Sequence, residues 1–408
     1  MPEKFIIYYI KGNDYIVIHS DDDKIIYQMD TLPSKSEYNR FTILRSSGHL
    51  ATLEGLRNFY NDFCKWNNQL LENKYWTFSY SSSFSHYGAT LALFKNLKIE
   101  TETDNIDNTE CEWIEKCYNA GIIYSKEGTY ENAYGYDFSF NYPTILASED
   151  FKFPIKKGVE VFIKKIPDRL SNIQSGYYRV KITCDNPEFR KVFAFSKHNV
   201  YTNTSLRFAI EQKERFGVKI ELIIDDKPNL YSYKSTAMIT GHKIFNRWFL
   251  KLTQIKKAYP DNKLVKHLAS SLWGRLSRKI YYHRTKEDII KEGLLDNNEY
   301  DIADEIVDRY TGEHIHYKLI KFSHRYATNY RLKPFITAFA RNKIGKVVLN
   351  DVDGCVRVIV DGVIFKNELK TRPDDLKEDL KNTGNLVIGK VNTKPEHIDE
   401  LFSDDDDN

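Results

Sequence analysis

The chain has no apolar run approaching the roughly 20 residues of a membrane span; its longer ones, such as VRVIVDGVIF, are strand-length and interrupted by charge. Its start, MPEKFIIYYIKGNDY, lacks a small-residue cleavage site behind a long apolar region, so the expectation is an intracellular protein with no membrane partner. The five cysteines, Cys64, Cys111, Cys117, Cys184 and Cys355, are odd in number and form no C-x-x-C pair. That argues against a disulfide framework or a zinc site. No segment repeats at the period of roughly 20 to 50 residues that marks solenoids. Charge of one sign is not in excess either: 60 basic against 57 acidic side chains leave +3, so any charged partner must be read from the distribution rather than the sum.

What is present is a long chain with a large aromatic content. At 408 residues, 41% hydrophobic, 29% charged and 14% aromatic, it suits a globular protein of two or three subdomains with a core rich in Tyr and Phe. The basic residues are concentrated: residues 241–280 hold ten lysines and arginines against Asp261 alone. Such a block can face phosphate. The opposite extreme is the end, LFSDDDDN, where consecutive aspartates repel one another and a disordered acidic tail is expected over residues 403–408.

Residues 5–30 alternate short apolar runs with polar turns, a β-hairpin pattern. LATLEGLRNFYNDFCKWNNQLLEN has helical spacing and no proline, and the acidic stretch ETETDNIDNTE after it places a boundary near residue 110. FPIKKGVEVFIKKI, SGYYRVKITCDN and VKIELIID read as strands. TNTSLRFAIEQKERFG reads as a helix with Thr and Ser cap candidates and a stop at Gly217. Two helices of the basic block meet at AYPDN. In the second, Leu264, Leu268, Leu272 and Leu276 form an apolar stripe, while Lys263, Lys266, Ser270, Trp273 and Ser277 form another beside Gly274. A helix-interior glycine is unfavourable by about 1 kcal/mol, and one use of it is to let something large approach. LKPFITAFARNKIGKVVL reads as a helix, NDVDG as a turn, and CVRVIVDGVIFKNEL as two strands bent at Asp361 and Gly362.

Two carboxylates stand alone in otherwise aromatic or aliphatic strands: Asp137 in AYGYDFSFNYPTIL and Asp361 in VRVIVDGVIF. A carboxylate in such a place needs a cation or a turn to cap, and two brought together repel. Strand-end aspartates that cap turns are one reading. The other is a metal site of the two-ion kind that aligns an attacking and a leaving oxygen in phosphoryl transfer, with a lysine-bearing helix to neutralise a triphosphate.

With these residues in one order, the sequence resembles family B DNA polymerases, in particular the protein-primed branch of bacteriophages, linear plasmids and related viral elements. YDFSFNYPTI is similar to the family's first palm motif, so Asp137 matches the metal-binding Asp and Tyr142 the tyrosine that excludes ribonucleotides, with Phe140-Asn141 where Ser-Leu is usual. KHLASSLWG resembles the fingers motif Lys-x-x-x-Asn-Ser-x-Tyr-Gly: Lys266 matches the lysine on the nucleotide phosphates, Ser270 the Asn, Trp273 the Tyr and Gly274 the Gly. VRVIVDGVIF resembles the third motif, Tyr-x-Asp-Thr-Asp-Ser, with Asp361 at its second Asp and Ile359 at its first. The rival pair Asp351 and Asp353 in NDVDG is set aside, because the ITAFAR helix precedes the family's catalytic Asp by about 20 residues, as Arg341 precedes Asp361. YNAGI resembles the element that contacts the template, with Tyr118 and Gly121 matching. Lys256 and Lys257 stand where a second phosphate-binding lysine is expected.

The resemblance covers about residues 110–375 and implies an α+β right-hand fold with an antiparallel palm sheet, helical fingers and a short thumb. Residues 1–110 would be an exonuclease remnant or replacement, 111–150 and 329–370 the palm, 151–240 an insertion contacting DNA or a priming protein, 241–280 the fingers, 281–328 a second insertion and 371–402 the thumb. It implies two Mg²⁺ ions, with Mn²⁺ as a substitute, on Asp137, Asp361 and the Phe138 backbone carbonyl. Primer-template DNA and dNTPs would be the substrates, with Lys263, Arg275 and Arg278 on DNA. A terminal priming protein and a separate exonuclease or processivity subunit are the implied partners. Residues 1–110 contain no Asp-x-Glu, so no proofreading exonuclease is expected. A catalytically decayed polymerase fold serving as a DNA-binding or scaffold subunit is the alternative; a metal-dependent nuclease would need more clustered carboxylates.

Overall fold

A computed structural model describes residues 101–294, 300–307, 314–321, 329–382 and 386–388, with four strands in the first 45 residues, residue 65 and residues 86–98. The acidic tail and, apart from residue 65, the helix expected over residues 50–73 lie outside the described residues. The chain forms two compact units, one of residues 1–98 with 247–272 and one of residues 99–246 with 273–407.

In the first unit the expected β pattern is a four-stranded sheet in which Phe5–Ile10 pairs antiparallel with Asp14–His19 and parallel with Phe41–Arg45, and Ile25–Met29 lies outside Asp14–His19. Helix His86–Leu97 is tied to the basic block by the Thr90 hydroxyl, which donates to the Leu268 carbonyl at 2.7 Å. Trp248, Leu252, Ile255, Leu268 and Leu272 are buried there.

The second unit is built on a five-stranded antiparallel sheet. Helix α1 (Asn108–Cys117) starts where the Asp107 carboxylate accepts from the Glu110 amide at 2.8 Å, an N-cap. Strands β1 (Ile123–Ser125) and β2 (Ala133–Phe138) follow, then helix α2 (Asn141–Leu146). Helix α3 (Asn203–Glu211) is capped by Thr202, and the short turn after it stops at Gly217 with φ +70°, as the sequence predicts. Helices α4 (Gly241–Ala258) and α5 (Lys263–Leu276) break at the Pro-Asp turn. Helix α6 (Leu332–Val348) is followed by β3 (Cys355–Ile359), β4 (Gly362–Phe365) and β5 (Leu376–Asn382). The sheet order is β5-β2-β4-β3-β1. The segment from residue 371, expected as a thumb, thus supplies β5 as an edge strand beside β2.

Lys152–Pro154 pairs separately with Met238–Thr240, and strands within residues 159–232 form a second antiparallel sheet around Gly176–Thr183. Its apolar face and the central sheet share one core: Tyr178, Phe189, Val192 and Phe208 lie in the same buried cluster as Tyr136, Phe138, Ile344, Val358 and Phe365. Residues 282–321 make a three-stranded sheet with helix Lys286–Glu292, which opens on a Thr285–Asp288 capping box.

Helix α6 grips both ends of α1 with buried arginines. Arg331, at its N-cap, donates Nε and Nη2 to the two Glu110 carboxylate oxygens at 2.6 Å each, Nη1 to the Asp104 carbonyl and Nη2 to the Asn105 carbonyl. The Tyr233 hydroxyl also donates to Glu110. Arg341, three turns on, donates Nη1 to the carbonyls of Asn119 and Ala120. A bidentate pair buried this completely is worth most as a unit, because removing one partner strands the other charge. Arg331→Met is expected to lower stability by about 3 to 5 kcal/mol; urea unfolding measured against wild type checks it.

Candidate active site

Sequence alternation turns β2 into a two-faced strand: Tyr136 and Phe138 are buried in the core, while Asp137 is half-buried and projects from the opposite face. The aromatics flanking Asp137 in sequence therefore anchor the strand from behind rather than surround the carboxylate. Asp137 pairs across the ladder with Gly362 on β4 and with Lys377 on β5. Because Gly362 has no side chain, the Asp137 Oδ1 lies 3.7 Å from where a Cβ would stand.

Asp361 is the residue just before Gly362, in the two-residue turn that joins β3 to β4. Its carbonyl accepts from the Phe138 amide at 3.2 Å. The backbones of the two aspartates predicted from sequence are thus neighbours, Asp137 on β2 and Asp361 in the turn one residue before Gly362. Carboxylates brought to one site favour a shared cation. Hard oxygen donors of this kind, one or two carboxylates completed by substrate phosphates, suit Mg²⁺, and among the described residues no larger His/Cys/Asp/Glu cluster offers a rival site.

Backbone strain is concentrated here. Val360, immediately before Asp361, has φ +57°, and Phe140, three residues after Asp137, has φ +54°. A β-branched residue in the left-handed region costs on the order of 1 to 3 kcal/mol, and such strain persists where the surroundings hold it. The surroundings are visible at both turns. The Val360 amide donates to the Ile122 carbonyl at 3.0 Å, and a Cβ on Gly121 would lie 3.0 Å from the Val360 Cα. At the other turn the Ser139 amide donates to the Asp375 carbonyl at 3.0 Å, and Lys343 Nζ sits 4.0 Å over the Phe138 ring and 3.4 Å from Asn141 Oδ1 while pairing with the Asp375 carboxylate.

Tyr142 is carried by α2, and its ring stacks on Trp273 at 5.0 Å and 26°. Burial pushes its hydroxyl pKa well above the ordinary value, with the Asp361 carboxylate adding to the rise and Arg341 opposing it. Tyr142 therefore stands on the Asp361 side of the site as a neutral donor. Tyr118 belongs to the same neighbourhood and carries Lys333 Nζ 3.9 Å over its ring. Gly274 has nothing within 4 Å of a Cβ position, which leaves the approach free beside Trp273. The stripe of α5 is split by burial: Trp273 and Ser277 are buried, Lys266 and Ser270 exposed, and Ser270 turns its hydroxyl back to the Lys266 and His267 carbonyls. Lys256 and Lys266 lie close enough that Lys266, after desolvation, helps to lower the Lys256 pKa. Both belong to the first unit, as do Lys257 and Lys263, whereas Arg275 and Arg278 belong to the second.

Asp351 is a turn residue: its Oδ1 accepts from the Gly354 amide at 2.9 Å and its Oδ2 from Asn367 at 3.2 Å. Three contributors were missed in the sequence. Lys377 and Asp375 come from a polar segment with no period to mark them, Lys343 looks like the exposed side of the helix that carries it, and Arg341 served only as a spacing marker, although a lone arginine in the apolar ITAFAR run was a usable signal.

No family model matches the chain, and no curated protein does. Among solved structures it is similar to Phi29 DNA polymerase complexed with single-stranded DNA, at 14% identity and a TM-score of 0.49, over 71% of this chain and 48% of that one. It is similar also to the same polymerase complexed with primer-template DNA, a post-translocation binary complex, at 14% identity and a TM-score of 0.49, over 79% and 54%. The chain thus spans about half the length of these structures.

The two glycines of the site should respond differently to a methyl group. Gly121→Ala drives a Cβ into Val360 at 3.0 Å, whereas Gly362→Ala meets only ordinary contacts, the nearest the Ile359 carbonyl at 3.6 Å. G121A is expected to unfold at lower urea concentration than wild type and G362A close to it; equal midpoints for both would show that the Val360 turn yields freely.

Proposed function

We propose that the protein is a DNA-directed DNA polymerase that extends a primer by two-metal nucleotidyl transfer. The observation that carries this reading is the β2–β4 register, which sets Asp137 opposite Gly362 and joins the Phe138 amide to the Asp361 carbonyl, with Tyr142 in electrostatic reach of Asp361. The order of matching motifs in the sequence supports it independently.

In this reading Asp137, Asp361 and the Phe138 carbonyl hold Mg²⁺, or Mn²⁺ in its place. The metal supplies Lewis-acid stabilisation of the charge on the transferring phosphoryl group. The aspartates keep the primer 3′-oxygen and the nucleotide α-phosphate in line. Lys266, with Lys256 or Lys257, neutralises the triphosphate. Tyr142 closes the space below the sugar by its ring, held flat by the stack on Trp273. Tyr118 and Gly121 place the template, and Lys263, Arg275 and Arg278 contact the DNA backbone. Proofreading is absent, and a priming protein or a processivity subunit supplies grip on the primer, since the segment from residue 371 is taken up by the central sheet.

One observation favours a second reading. Ile359, at the end of β3, stands where the family has another carboxylate, which is what a decayed site retained for DNA binding or scaffolding would show. Mg²⁺-dependent extension of a primed template separates the two. Wild type is expected to incorporate dNTPs, and Asp137→Ala and Asp361→Ala each to lose at least about 100-fold in rate. Undiminished synthesis by both variants would refute the site; tight primer-template binding with no incorporation in Mg²⁺ or Mn²⁺ would establish the decayed fold.

A further inference from the structure

The turn that follows Asp137 is held by two residues to which the polymerase reading gives no part, Lys343 and Asp375. In the peptide joining Phe138 to Ser139, the Ser139 amide donates to the Asp375 carbonyl at 3.0 Å, on the β5 side of β2. A trans peptide is planar, with its N–H and C=O pointing opposite ways, and among the described residues no peptide bond is cis. The Phe138 carbonyl is therefore directed to the other side of β2, toward β4, where the Phe138 amide donates to the Asp361 carbonyl at 3.2 Å. Whatever fixes the Ser139 amide thus fixes the direction of the Phe138 oxygen.

The backbone alone does not fix it. Asp375 precedes an edge strand, and Phe140 just beyond the peptide has φ +54°, a conformation that a bulky side chain rarely adopts. The restraint comes from α6. Lys343 pairs its ammonium with the Asp375 carboxylate, both side chains being partly buried, and sets it 4.0 Å over the Phe138 ring and 3.4 Å from Asn141 Oδ1. One cation therefore touches the residue before the peptide, the residue that accepts from it and the residue after the left-handed turn. An exposed ion pair restrains little, but this one springs from a helix buried along most of its length, so the lysine works from a rigid base.

We propose that Lys343 and Asp375 are positioning residues for the metal: together they hold the Phe138–Ser139 peptide so that its carbonyl joins Asp137 and Asp361 as a ligand. The inference rests on the metal site of the polymerase reading and identifies what keeps its backbone ligand aimed. Neither residue touches the ion or the substrate, and their effect passes through the peptide. Mg²⁺ demands near-ideal octahedral geometry, and loss of a group that orients a ligand typically lowers metal affinity by about 10- to 100-fold.

Titration of the full chain with Mn²⁺, followed by the electron spin resonance signal of the free ion, tests it, with urea unfolding as a check on the fold. Wild type is expected to bind Mn²⁺ at a site lost in Asp137→Ala. Lys343→Met and Asp375→Asn should each raise the Kd of that site about tenfold, while Lys343→Arg, which keeps the charge, stays close to wild type. In primer extension K343M and D375N should need about tenfold more Mg²⁺ for half-maximal rate and approach the wild-type rate at saturation, a split that loss of folded protein would not produce. Mn²⁺ affinity unchanged in both K343M and D375N, with D137A still abolishing it, would overturn the positioning role and leave the metal site standing. Mn²⁺ binding indifferent to Asp137 would overturn the metal site and this proposal with it. Equal losses in K343M and K343R, alongside equally lowered urea midpoints, would reduce the pair to a structural role and refute it as well.

Discussion

The antiparallel ladder between Ala133–Phe138 and Gly362–Phe365 is the constraint on which the site depends. It is built from apolar residues that bury one face, Tyr136 and Phe138 from one strand and Val363 and Phe365 from the other. Its register puts Asp137 opposite Gly362 and Asp361 one step away. A slip by a single residue would turn Asp137 toward the core and the aromatics toward solvent, so the same hydrophobic burial that stabilises the sheet also fixes where the charge sits.

Around the ladder, cations rather than hydrophobic contacts set the finer geometry. Arg331 and Arg341 clamp the two ends of helix Asn108–Cys117 from one long helix, and Lys343 of that same helix holds the turn after Asp137. One rigid element therefore positions the segment carrying Tyr118 and Gly121, the turn carrying Asn141, and through the core the sheet itself. Arg341 has its pKa lowered by burial and donates to backbone carbonyls, an arrangement that orients the loop carrying Asn119 and Ala120.

Much of this was legible in the sequence. Asp137 and Asp361 stood out because a carboxylate in a strand of aromatic or β-branched residues conflicts with its surroundings, and such conflicts concentrate at functional sites. The helices of the basic block and the capped helix ending at Gly217 followed from spacing and cap chemistry. Illegible were the pairings that need the third dimension: the edge strand Leu376–Asn382 carries charges on both faces and no alternating pattern, and the Lys343–Asp375 contact joins a lysine of the largely buried helix Leu332–Val348 to a polar turn 32 residues on. The division of the stripe on the second helix of the basic block was illegible for a related reason, since a tryptophan and a serine at helical spacing can be buried as readily as exposed. Ser277, which bonds to the Trp273 carbonyl at 2.7 Å, is such a case.

The approach of Gly121 to Val360 has a consequence for the history of the chain. The glycine has room only while the turn keeps its left-handed shape, and the valine keeps that shape only while nothing larger than hydrogen presses on it. Neither position can drift alone. Among descendants of this sequence a larger residue at 121 should appear only in company with a change at 360, glycine being the natural first step there, so that the loop and the hairpin carrying Asp361 evolve as one inherited unit.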